Sequence, residues 1–342
     1  MNIDNLLTKD ILPDRVIRFG IRNLLKQRLN SEKKNNASEQ QRHLMALVNY
    51  LNENPIAVNT ADANEQHYEV PTEFYKMVLG KHLKYSSGYW EKGAKNLDES
   101  EKDMLELTCQ RAKLTNGQDI LELGCGWGSL TLFMADKYPD SQIIAVSNSR
   151  TQKKHIDAEA EKRGFKNVNV ITADINQFEI DKRFDRIVSV EMFEHMRNYR
   201  TLFSKIYNWL KPEGQLFVHI FTHNKYAYLF EVKNETDWMA KYFFTGGIMP
   251  SDNLLFYFTD SFQIKDHWIV EGRNYEKTSN AWLEKMDRNK DEILKLFSKT
   301  YGEENKIKWW VYWRVFFMSC AELWGFKNGS EWFVSHYLFK KR

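Results

Sequence analysis

The chain of 342 residues has few cysteines and no long apolar segment, and each absence excludes a class of protein. Cys109, Cys125 and Cys320 are far apart and form no Cys-x-x-Cys pair, so neither a disulfide framework nor a structural metal site is expected. The most membrane-like stretch, 309–324, carries an arginine and a glutamate and is too short to span a bilayer. The sequence therefore predicts a reduced, cytoplasmic protein without stable membrane insertion, in which this stretch is a buried helix.

An excess of charge of one sign is also absent. The 49 Lys and Arg residues nearly balance the 46 Asp and Glu residues, and the net charge of +3 is spread along the chain. This balance argues against a nucleic-acid-binding protein. Aromatic residues are plentiful by contrast, at 14% of the chain with 11 Trp, and they predict a large core or a pocket for an organic cation. None of these features predicts an oligomeric state.

Helix and strand patterns alternate from residue 98 onward, which predicts an α/β fold with a parallel sheet covered on both faces. The expected strands are 119–123, 142–147, 168–172, 186–190, 216–221, 263–270 and 332–339. The expected helices are 6–29, 41–52, 99–112, 129–137, 151–163, 200–210 and 309–324.

Two regions depart from this alternation. Residues 1–66 predict an N-terminal helical extension whose two helices are joined by a polar linker at 30–39. The alternation lapses again at about 224–260, which predicts a cap inserted into the main domain, 67–342.

A glycine-rich turn follows the first expected strand. Gly124, Gly126 and Gly128 run as Gly-x-Gly-x-Gly, and Glu122 stands two residues before them. Glycines at alternating positions let the backbone approach a ligand closely. The turn lacks the Gly-Lys-Ser/Thr of a P-loop and does not match the Gly-x-Gly-x-x-Gly dinucleotide pattern, so phosphate binding is not favoured.

Two carboxylates and an imidazole follow the fourth expected strand. Glu191, Glu194 and His195 come directly after the apolar run 184–190. If a helical turn begins there, the three side chains share one face, because steps of three and four residues separate them. Open α/β sheets bind ligands where their strands end, so the cluster predicts a proton-handling site. The alternative is that Glu194 and His195 begin a helix and satisfy its backbone donors.

These motifs together resemble the class I S-adenosylmethionine-dependent methyltransferases. The resemblance implies a Rossmann-like fold with a mostly parallel seven-stranded sheet, in which the loop at Gly124 and Gly126 cradles the methionine part of the cofactor. Residues 172–175 resemble the adenine-contacting turn of that fold, with Asp174 accepting from the adenine amino group and Ile175 beside it. Asp174 as a helix N-cap is the alternative, and both roles are compatible.

A series of segments in preserved order gives a closer resemblance, to the cyclopropane fatty acid synthase superfamily and, within it, the plant coclaurine N-methyltransferases. The segments are 67–70, 83–90, 123–132, 147–149 with Gln152, 191–199, 242–251 and 325–341. The resemblance implies that Tyr85 and Ser86 lie near the methionine carboxylate of S-adenosylmethionine, and Asn148 and Gln152 near its ribose. The general fold usually has an acidic residue in place of Asn148, and this branch shares the departure.

Glu191 distinguishes the two halves of that superfamily, because the lipid-modifying enzymes usually carry glycine there. The resemblance therefore favours N-methylation of a small aromatic or cyclic amine. His195 is the candidate general base, Glu191 the group that stabilises the new cation, and Glu194 a group that orients His195 or binds substrate. The alternative is C-methylation or cyclopropane synthesis on an unsaturated fatty-acyl phospholipid, because His219 and Tyr275 fall where the lipid enzymes hold a bicarbonate ion.

Four further residues are candidate substrate contacts: His219, His223, Tyr275 and Cys320. For the first three, an equal alternative is that they are polar groups satisfied inside the cap. Cys320 matches a cysteine once proposed as a nucleophile in the lipid enzymes. Methyl transfer to an amine needs no covalent step, so a buried structural thiol is the favoured interpretation of Cys320.

Overall fold

The computed structural model describes residue 8 and residues 11–58, 70–232 and 237–342. A seven-stranded sheet with the order β3-β2-β1-β4-β5-β9-β8 forms its centre, and β6 and β7 form a separate pair. The strands are β1 (Asp119–Leu123), β2 (Gln142–Ser147), β3 (Val168–Thr172), β4 (Phe184–Val190), β5 (Leu210–His223), β6 (Tyr228–Leu229), β7 (Ile248–Met249), β8 (Phe262–Val270) and β9 (Trp332–Lys341). The predicted α/β fold is confirmed, and β1, β2 and β3 have their predicted bounds.

Strands β1 to β5 pair in parallel, whereas β9 runs antiparallel to both β5 and β8. Strand β5 is longer than the predicted 216–221, because its first residue already pairs with β4, before a register shift between Phe184 and Arg186. Parallel strands end at one edge of a sheet, so the segments that follow β1, β2, β3 and β4 meet there.

Helices connect the parallel strands and extend the chain on either side of them. They are α1 (Asp14–Glu32), α2 (Ala37–Asn52), α3 (Thr72–Val78), α4 (Leu97–Arg111), α5 (Ser129–Lys137), α6 (Arg150–Arg163), α7 (Tyr199–Trp209), α8 (Trp238–Tyr242), α9 (Gly272–Arg288), α10 (Lys290–Tyr301) and α11 (Lys306–Gly325). Helices α9 and α10 are absent from the sequence-based prediction, and they pack against α11 and α3.

The predicted N-terminal helices are present as α1 and α2, but the linker between them covers only 33–36, so its predicted bounds, 30–39, are wrong. Helix α1 continues to Glu32, and α2 begins at Ala37. The early start of α2 has a local cause, because the Asn36 side chain accepts a hydrogen bond from the Glu39 amide at 2.9 Å and so caps the helix.

The predicted cap at 224–260 contains β6, α8, β7 and a 3₁₀ turn at Leu254–Phe258, with residues 233–236 outside the described part of the chain. Residues 67–69 of the family resemblance also lie outside the described residues. The predicted domain boundary at residue 66 lies there too and stays a prediction.

Helix α11 is the buried helix that the sequence predicts at 309–324. Trp310, Trp313, Phe317 and Trp324 are all buried, in one apolar cluster that also includes side chains of α9 and the cap. Within the described part of the chain, no helix is both long and apolar enough to cross a membrane.

Candidate active site

A cavity lies where β1, β2, β3 and β4 end, and the cap and α11 form its other side. The predicted catalytic residues and cofactor contacts all line it, together with two of the candidate substrate contacts. These residues are Tyr85, Ser86, Gly124, Gly126, Asn148, Gln152, Asp174, Ile175, Glu191, Glu194, His195, Tyr275 and Cys320. His219 and His223 lie outside this lining. The fold thus brings most of the predicted site residues together, while their chemical roles stay predictions.

The glycine loop between β1 and α5 forms one side of the cavity. The Gly124 and Cys125 amides both donate to the Val146 carbonyl on β2, at 3.0 and 3.1 Å, which holds the loop against the neighbouring strand. Gly126 has a φ of +51°, and a Cβ placed there would meet no described atom within 4 Å. A bound molecule can therefore approach the backbone at Gly126 closely, as a cofactor cradle requires.

The same loop contacts the segment that carries the two carboxylates. Gly124 has a φ of +80°, and a Cβ there would lie 2.6 Å from the Cβ of Met192. Only glycine leaves room for this contact. Met192 directly follows Glu191, so the glycine loop and the acidic cluster form adjoining parts of one surface.

Glu122, the acidic residue before the glycines, is buried at the end of β1. The Thr131 hydroxyl donates to its carboxyl oxygen at 2.5 Å. Burial raises the pKa of Glu122 to about 8, against the opposing effect of that hydrogen bond. Glu122 is therefore mostly neutral at pH 7.

Strands β2 and β3 each end in a polar group that lines the cavity. The Ser147 hydroxyl donates to the Gln152 carbonyl oxygen at 2.6 Å, which leaves the Gln152 amide NH₂ as a donor. After β3, the Asn176 amide donates to the Asp174 carboxylate at 2.8 Å. Residues 175–177 form a turn and no helix begins there, so the N-cap alternative for Asp174 holds only as local capping of this turn.

The segment before α4 is held in place by a buried carboxylate that the sequence analysis missed. The Gly80 and His82 amides donate to Glu101 on α4, at 2.9 and 2.8 Å. Burial raises the pKa of Glu101 to about 7, although both hydrogen bonds oppose the rise. These contacts position Tyr85 and Ser86, three and four residues after His82.

Glu191 leaves β4 in a left-handed backbone conformation. Its φ is +49°, its amide donates to the His219 carbonyl at 2.9 Å, and a 3₁₀ turn follows at Phe193–His195. The predicted helical face for Glu191, Glu194 and His195 is therefore wrong, because a kink separates Glu191 from the turn. The three side chains reach the cavity from this kink and turn. A non-glycine residue pays about 1 kcal/mol or more in this conformation.

The carboxyl groups of Glu191 and Glu194 hydrogen-bond to each other. Burial and the neighbouring charge of Glu191 raise the pKa of Glu194 well above its ordinary value, so Glu194 holds the shared proton. Burial raises the pKa of Glu191 to about 8, against the lowering effects of Lys84 and Glu194. Among the described residues, the second oxygens, Glu191 Oε1 and Glu194 Oε2, have no hydrogen-bond partner. Unsatisfied buried oxygens in a cavity suit a cationic or N–H-donating ligand.

Lys84 is the buried cation that faces this pair, and the sequence analysis missed it. Its ammonium group hydrogen-bonds to the Ser86 hydroxyl, and its side chain lines the cavity. Burial lowers the pKa of Lys84 to about 8, while the charges of Glu191 and Glu101 oppose the decrease. No pattern of a lone lysine reveals burial, so only the resemblance over 83–90 could have drawn attention to it.

His195 lies between the acidic pair and the aromatic side of the cavity. Its ring centroid is 4.9 Å from that of Phe244 in the cap, and Phe244 in turn contacts Phe221 and Phe230. These rings form an apolar surface beside the polar groups. The arrangement suits a ligand that has both an aromatic ring and an ionisable nitrogen.

Tyr275 and Cys320 line the far side of the cavity. The Tyr275 ring stacks on Trp324, with centroids 4.7 Å apart and planes within 1° of parallel. Burial raises the pKa of the Cys320 thiol to about 12, so the thiol is protonated at neutral pH and is a weak nucleophile.

The two remaining histidines are buried behind the cavity. His219 Nε2 lies 3.3 Å from Glu191 Oε1, and its Nδ1 lies 2.8 Å from His336 Nε2. His223 Nδ1 accepts hydrogen bonds from the Lys225 and Tyr226 amides, both at 2.8 Å, where the chain enters the cap. His223 Nε2, by contrast, has no hydrogen-bond partner among the described residues and lies 3.5 Å from a Glu331 carboxylate oxygen, so only one side of the ring is satisfied inside the fold.

The sequence and the fold are similar to those of known enzymes. The profile described as mycolic acid cyclopropane synthetase matches residues 57–329. An (S)-coclaurine N-methyltransferase of Thalictrum flavum subsp. glaucum is 40% identical over 336 residues, which are 97% of this chain and 93% of that protein. The corresponding enzyme of Papaver somniferum is 39% identical over 97% of this chain and 95% of its own.

A solved structure shows the same similarity in three dimensions. The crystal structure of coclaurine N-methyltransferase bound to N-methylheliamine and SAH superposes with a TM-score of 0.96. It is 37% identical in sequence, and the match covers 99% of each chain.

Proposed function

The chain belongs to the mycolic acid cyclopropane synthetase family, and we propose that its cavity brings S-adenosylmethionine together with a cyclic amine whose nitrogen receives the methyl group. The protein is an S-adenosylmethionine-dependent methyltransferase. The coclaurine N-methyltransferases match it over nearly its whole length, and their acceptor is the basis for assigning an alkaloid-like amine. When bound, S-adenosylmethionine supplies an electrophilic methyl group on a sulfonium.

The residues at the ends of β1, β2 and β3 fit this cofactor. The open backbone at Gly126 would cradle the methionine part, with Tyr85 and Ser86 near its carboxylate. The Gln152 amide NH₂ and Asn148 would hold the ribose. Asp174, beside Ile175, would accept from the adenine amino group.

The acceptor chemistry belongs to the acidic pair and His195. A protonated amine has no lone pair and does not attack a methyl group, so the enzyme has to remove a proton first. His195 lines the cavity beside the pair and takes this proton, while the Glu191 carboxylate binds the amine and faces the positive charge that develops on its nitrogen. Glu194 holds the proton that it shares with Glu191 and so restricts how that carboxylate turns.

One observation carries this proposal: the glycine loop and the acidic cluster touch, at Gly124 and Met192. Because the two are in contact, a methyl donor in the loop and an amine on Glu191 would lie side by side. In-line displacement draws much of its rate from such alignment.

Glu191 also weighs against the alternative substrate, an unsaturated fatty-acyl phospholipid. Its carboxylate lies 3.3 Å from His219 Nε2, beside the residues that hold bicarbonate in the lipid enzymes according to the resemblance. A fixed carboxylate in that neighbourhood repels a second anion. We also propose that the protein is cytoplasmic.

The experiment is a transfer assay with labelled S-adenosylmethionine and two acceptors in one reaction. A bicyclic aromatic secondary amine competes there with vesicles of unsaturated phosphatidylethanolamine. We expect label in the amine as an N-methyl group, identified by mass spectrometry, and none in the lipid. Glu179→Gln, which changes an exposed carboxylate paired with Lys205, serves as the control variant and should keep full activity. Label that enters only the lipid contradicts the proposal.

A further inference from the structure

We propose that Arg111, His336 and His219 form a directional chain of hydrogen-bond donors that favours the ionised form of the Glu191 carboxyl and positions it from behind the cavity. The three are positioning residues, since Glu191 alone among these four groups lines the cavity. The proposal rests on the proposed function, because it assigns the chain a purpose in binding the amine.

The contacts run in one line from the end of α4 to the cavity. Arg111 Nη1 lies 2.8 Å from His336 Nδ1, and His336 Nε2 lies 2.8 Å from His219 Nδ1. His219 Nε2 then lies 3.3 Å from Glu191 Oε1. The two histidines are directly opposite each other on the antiparallel strands β5 and β9, so the sheet itself sets their separation.

The arginine determines the direction of the chain. A guanidinium group only donates hydrogen bonds, so His336 Nδ1 must accept and the proton of a neutral His336 is on Nε2. His336 then donates to His219 Nδ1, which leaves the His219 proton on Nε2. That proton faces Glu191 Oε1. Neither His219 Nε2 nor Glu191 Oε1 has another hydrogen-bond partner among the described residues, so each is available to the other.

The histidines stay neutral, as this direction requires. Burial lowers the pKa of both far below the ordinary value, and the positive charges of Arg111 and Lys84 act in the same sense. Both side chains are fully buried, and the His336 ring packs edge-on against Phe217 at 5.1 Å. The Arg111 guanidinium is held in turn over the ring of Trp268, at 5.0 Å from its centroid.

The hydrogen-bond chain from Arg111 to Glu191 does not carry the proton of the amine away. Proton transfer along it would require its last member to take up a proton, and a guanidinium has no lone pair for one. The proton therefore leaves through the cavity side, where His195 lies, and the chain acts by orientation and electrostatics alone. The 3.3 Å contact is longer than an ordinary N–H···O hydrogen bond, so its effect on Glu191 is mainly that of a polarised N–H group facing a carboxylate oxygen.

Several other groups set the protonation of Glu191, and the experiment has to separate them from the chain. They are Lys84 on the segment before α4, Glu194 on the 3₁₀ turn, Tyr275 on α9 and Cys320 on α11. At the other end of the chain, Tyr89 and Glu91 face Arg111, and the charge of His267 acts on His336. None of these is changed by the variants below.

Two matched pairs of variants test the chain in the full-length enzyme. Arg111→Met keeps an unbranched side chain over Trp268 but removes the donor, whereas Arg111→Lys restores a donor. His336→Phe removes both ring nitrogens, whereas His336→Gln keeps one acceptor and one donor. Lys113→Met removes a nearby cation that pairs with Asp266 and does not touch His336, so it serves as the control.

We expect Arg111→Met and His336→Phe to lower kcat/KM for the amine about fivefold at pH 7, the size of one lost hydrogen bond. A donor lowers the pKa of the carboxyl that it faces, so its loss raises the pKa of Glu191. The acidic limb of the kcat/KM profile therefore moves to higher pH in these variants, and activity recovers at alkaline pH. In Arg111→Lys and His336→Gln the acidic limb should return close to its wild-type pH, and in Lys113→Met its position should not change.

A second measurement does not depend on activity. The ¹⁵N chemical shifts of His219 and His336 should show both rings protonated at Nε2 in the wild type, and a changed tautomer in Arg111→Met. Protonation at Nδ1 in the wild type, or a loss of kcat/KM that is the same at every pH, overturns the chain. A wild-type enzyme that methylates no amine overturns the proposed function instead, and the tautomers would still decide the chain.

Discussion

The two halves of the cavity are built in different ways. The proposed cofactor half is made mostly of backbone and polar side chains in the segments that follow β1, β2 and β3, and Tyr85 and Ser86 complete it. The acceptor half collects side chains from β4, the cap, α9 and α11, which are distant in sequence. In the proposed site, the methyl donor thus depends on local loop geometry, whereas acceptor chemistry depends on long-range packing. A substitution in one half should therefore impair that half and leave the function of the other unchanged.

The largest expected effect is that of a substitution at Glu191, which should impair amine turnover and leave cofactor binding unchanged. Glu191→Gln keeps the volume and the kink but removes the negative charge that faces the amine. We expect kcat/KM for the amine to fall about 10²–10³-fold, as for the loss of a group that stabilises developing charge. Calorimetry should show unchanged affinity for S-adenosylmethionine. An equal loss of cofactor affinity would mean that the two halves are one unit.

Amine turnover and cofactor binding should also differ in their dependence on pH. Burial raises the pKa of Glu191 to about 8, so below that pH an additional proton has to leave before the carboxylate binds a cationic amine. We expect kcat/KM for the amine to fall about tenfold per pH unit from pH 7.5 to 6, because one proton is involved. The dissociation constant of S-adenosylmethionine should change far less over this range. A flat kcat/KM profile would exclude Glu191 as an ionised ligand of the amine.

A smaller effect is expected in the cofactor half. Gly126→Ala puts a Cβ into the open part of the loop at a φ of +51°. The free loop relieves this strain of about 1–2 kcal/mol by leaving the conformation, and binding has to restore it. The affinity for S-adenosylmethionine should therefore fall roughly fivefold to thirtyfold, with little change in the KM of the amine. Gly164→Ala introduces similar backbone strain at a φ of +74° at the end of α6, also with no described atom near the new Cβ. That control should lower stability and leave cofactor affinity unchanged.

The smallest effect concerns stability rather than catalysis. Folded Glu122 holds its proton up to about pH 8, whereas the unfolded carboxyl loses it near its ordinary pKa of 4.5. Folding therefore becomes less favourable as the pH rises between these values, and this loss is complete above pH 8. Glu122→Gln does not titrate, so we expect its Tm to exceed that of the wild type by about 2–4 °C at pH 7 and by less at pH 5. A gain that is the same at both values would contradict the assigned protonation state.

The same contrast explains how much the sequence could predict. The bounds of β1, β2 and β3 match the prediction, because each is a short apolar run between polar turns and its pattern is local. The glycine loop also stands out locally, by its spacing after a strand, whereas Tyr85, Ser86, Asn148 and Gln152 were implied only by the family resemblance, and all stay predictions as cofactor contacts. Helices α9 and α10 were missed, since their buried side chains, Trp282 and Phe297 among them, pack mainly on other helices, and only α9 also contacts the sheet, at β9.

Both halves also depend on groups whose role is set by burial, in the cavity or behind it. Lys84, Glu101 and His336 are ordinary residues in the sequence, and only the fold shows that each is buried beside a charged or polar partner. The kink at Glu191 is equally hidden, because a left-handed glutamate has no sequence signature. The spacing of 191, 194 and 195 by three and four residues predicts a helix there. The Glu191 amide instead donates to the His219 carbonyl on the neighbouring strand, so no helix begins at Glu191.

The left-handed backbone conformation at Glu191 favours glycine over glutamate at this position. Glutamate and glycine codons differ by a single base, and glycine is the residue that the resemblance expects at this position in lipid-modifying relatives. Glycine adopts a φ of +49° without the penalty that a Cβ brings, so mutation towards it relaxes the chain. A glycine at the end of β4 would thus relieve the backbone and at the same time remove the carboxylate that the proposed amine site requires.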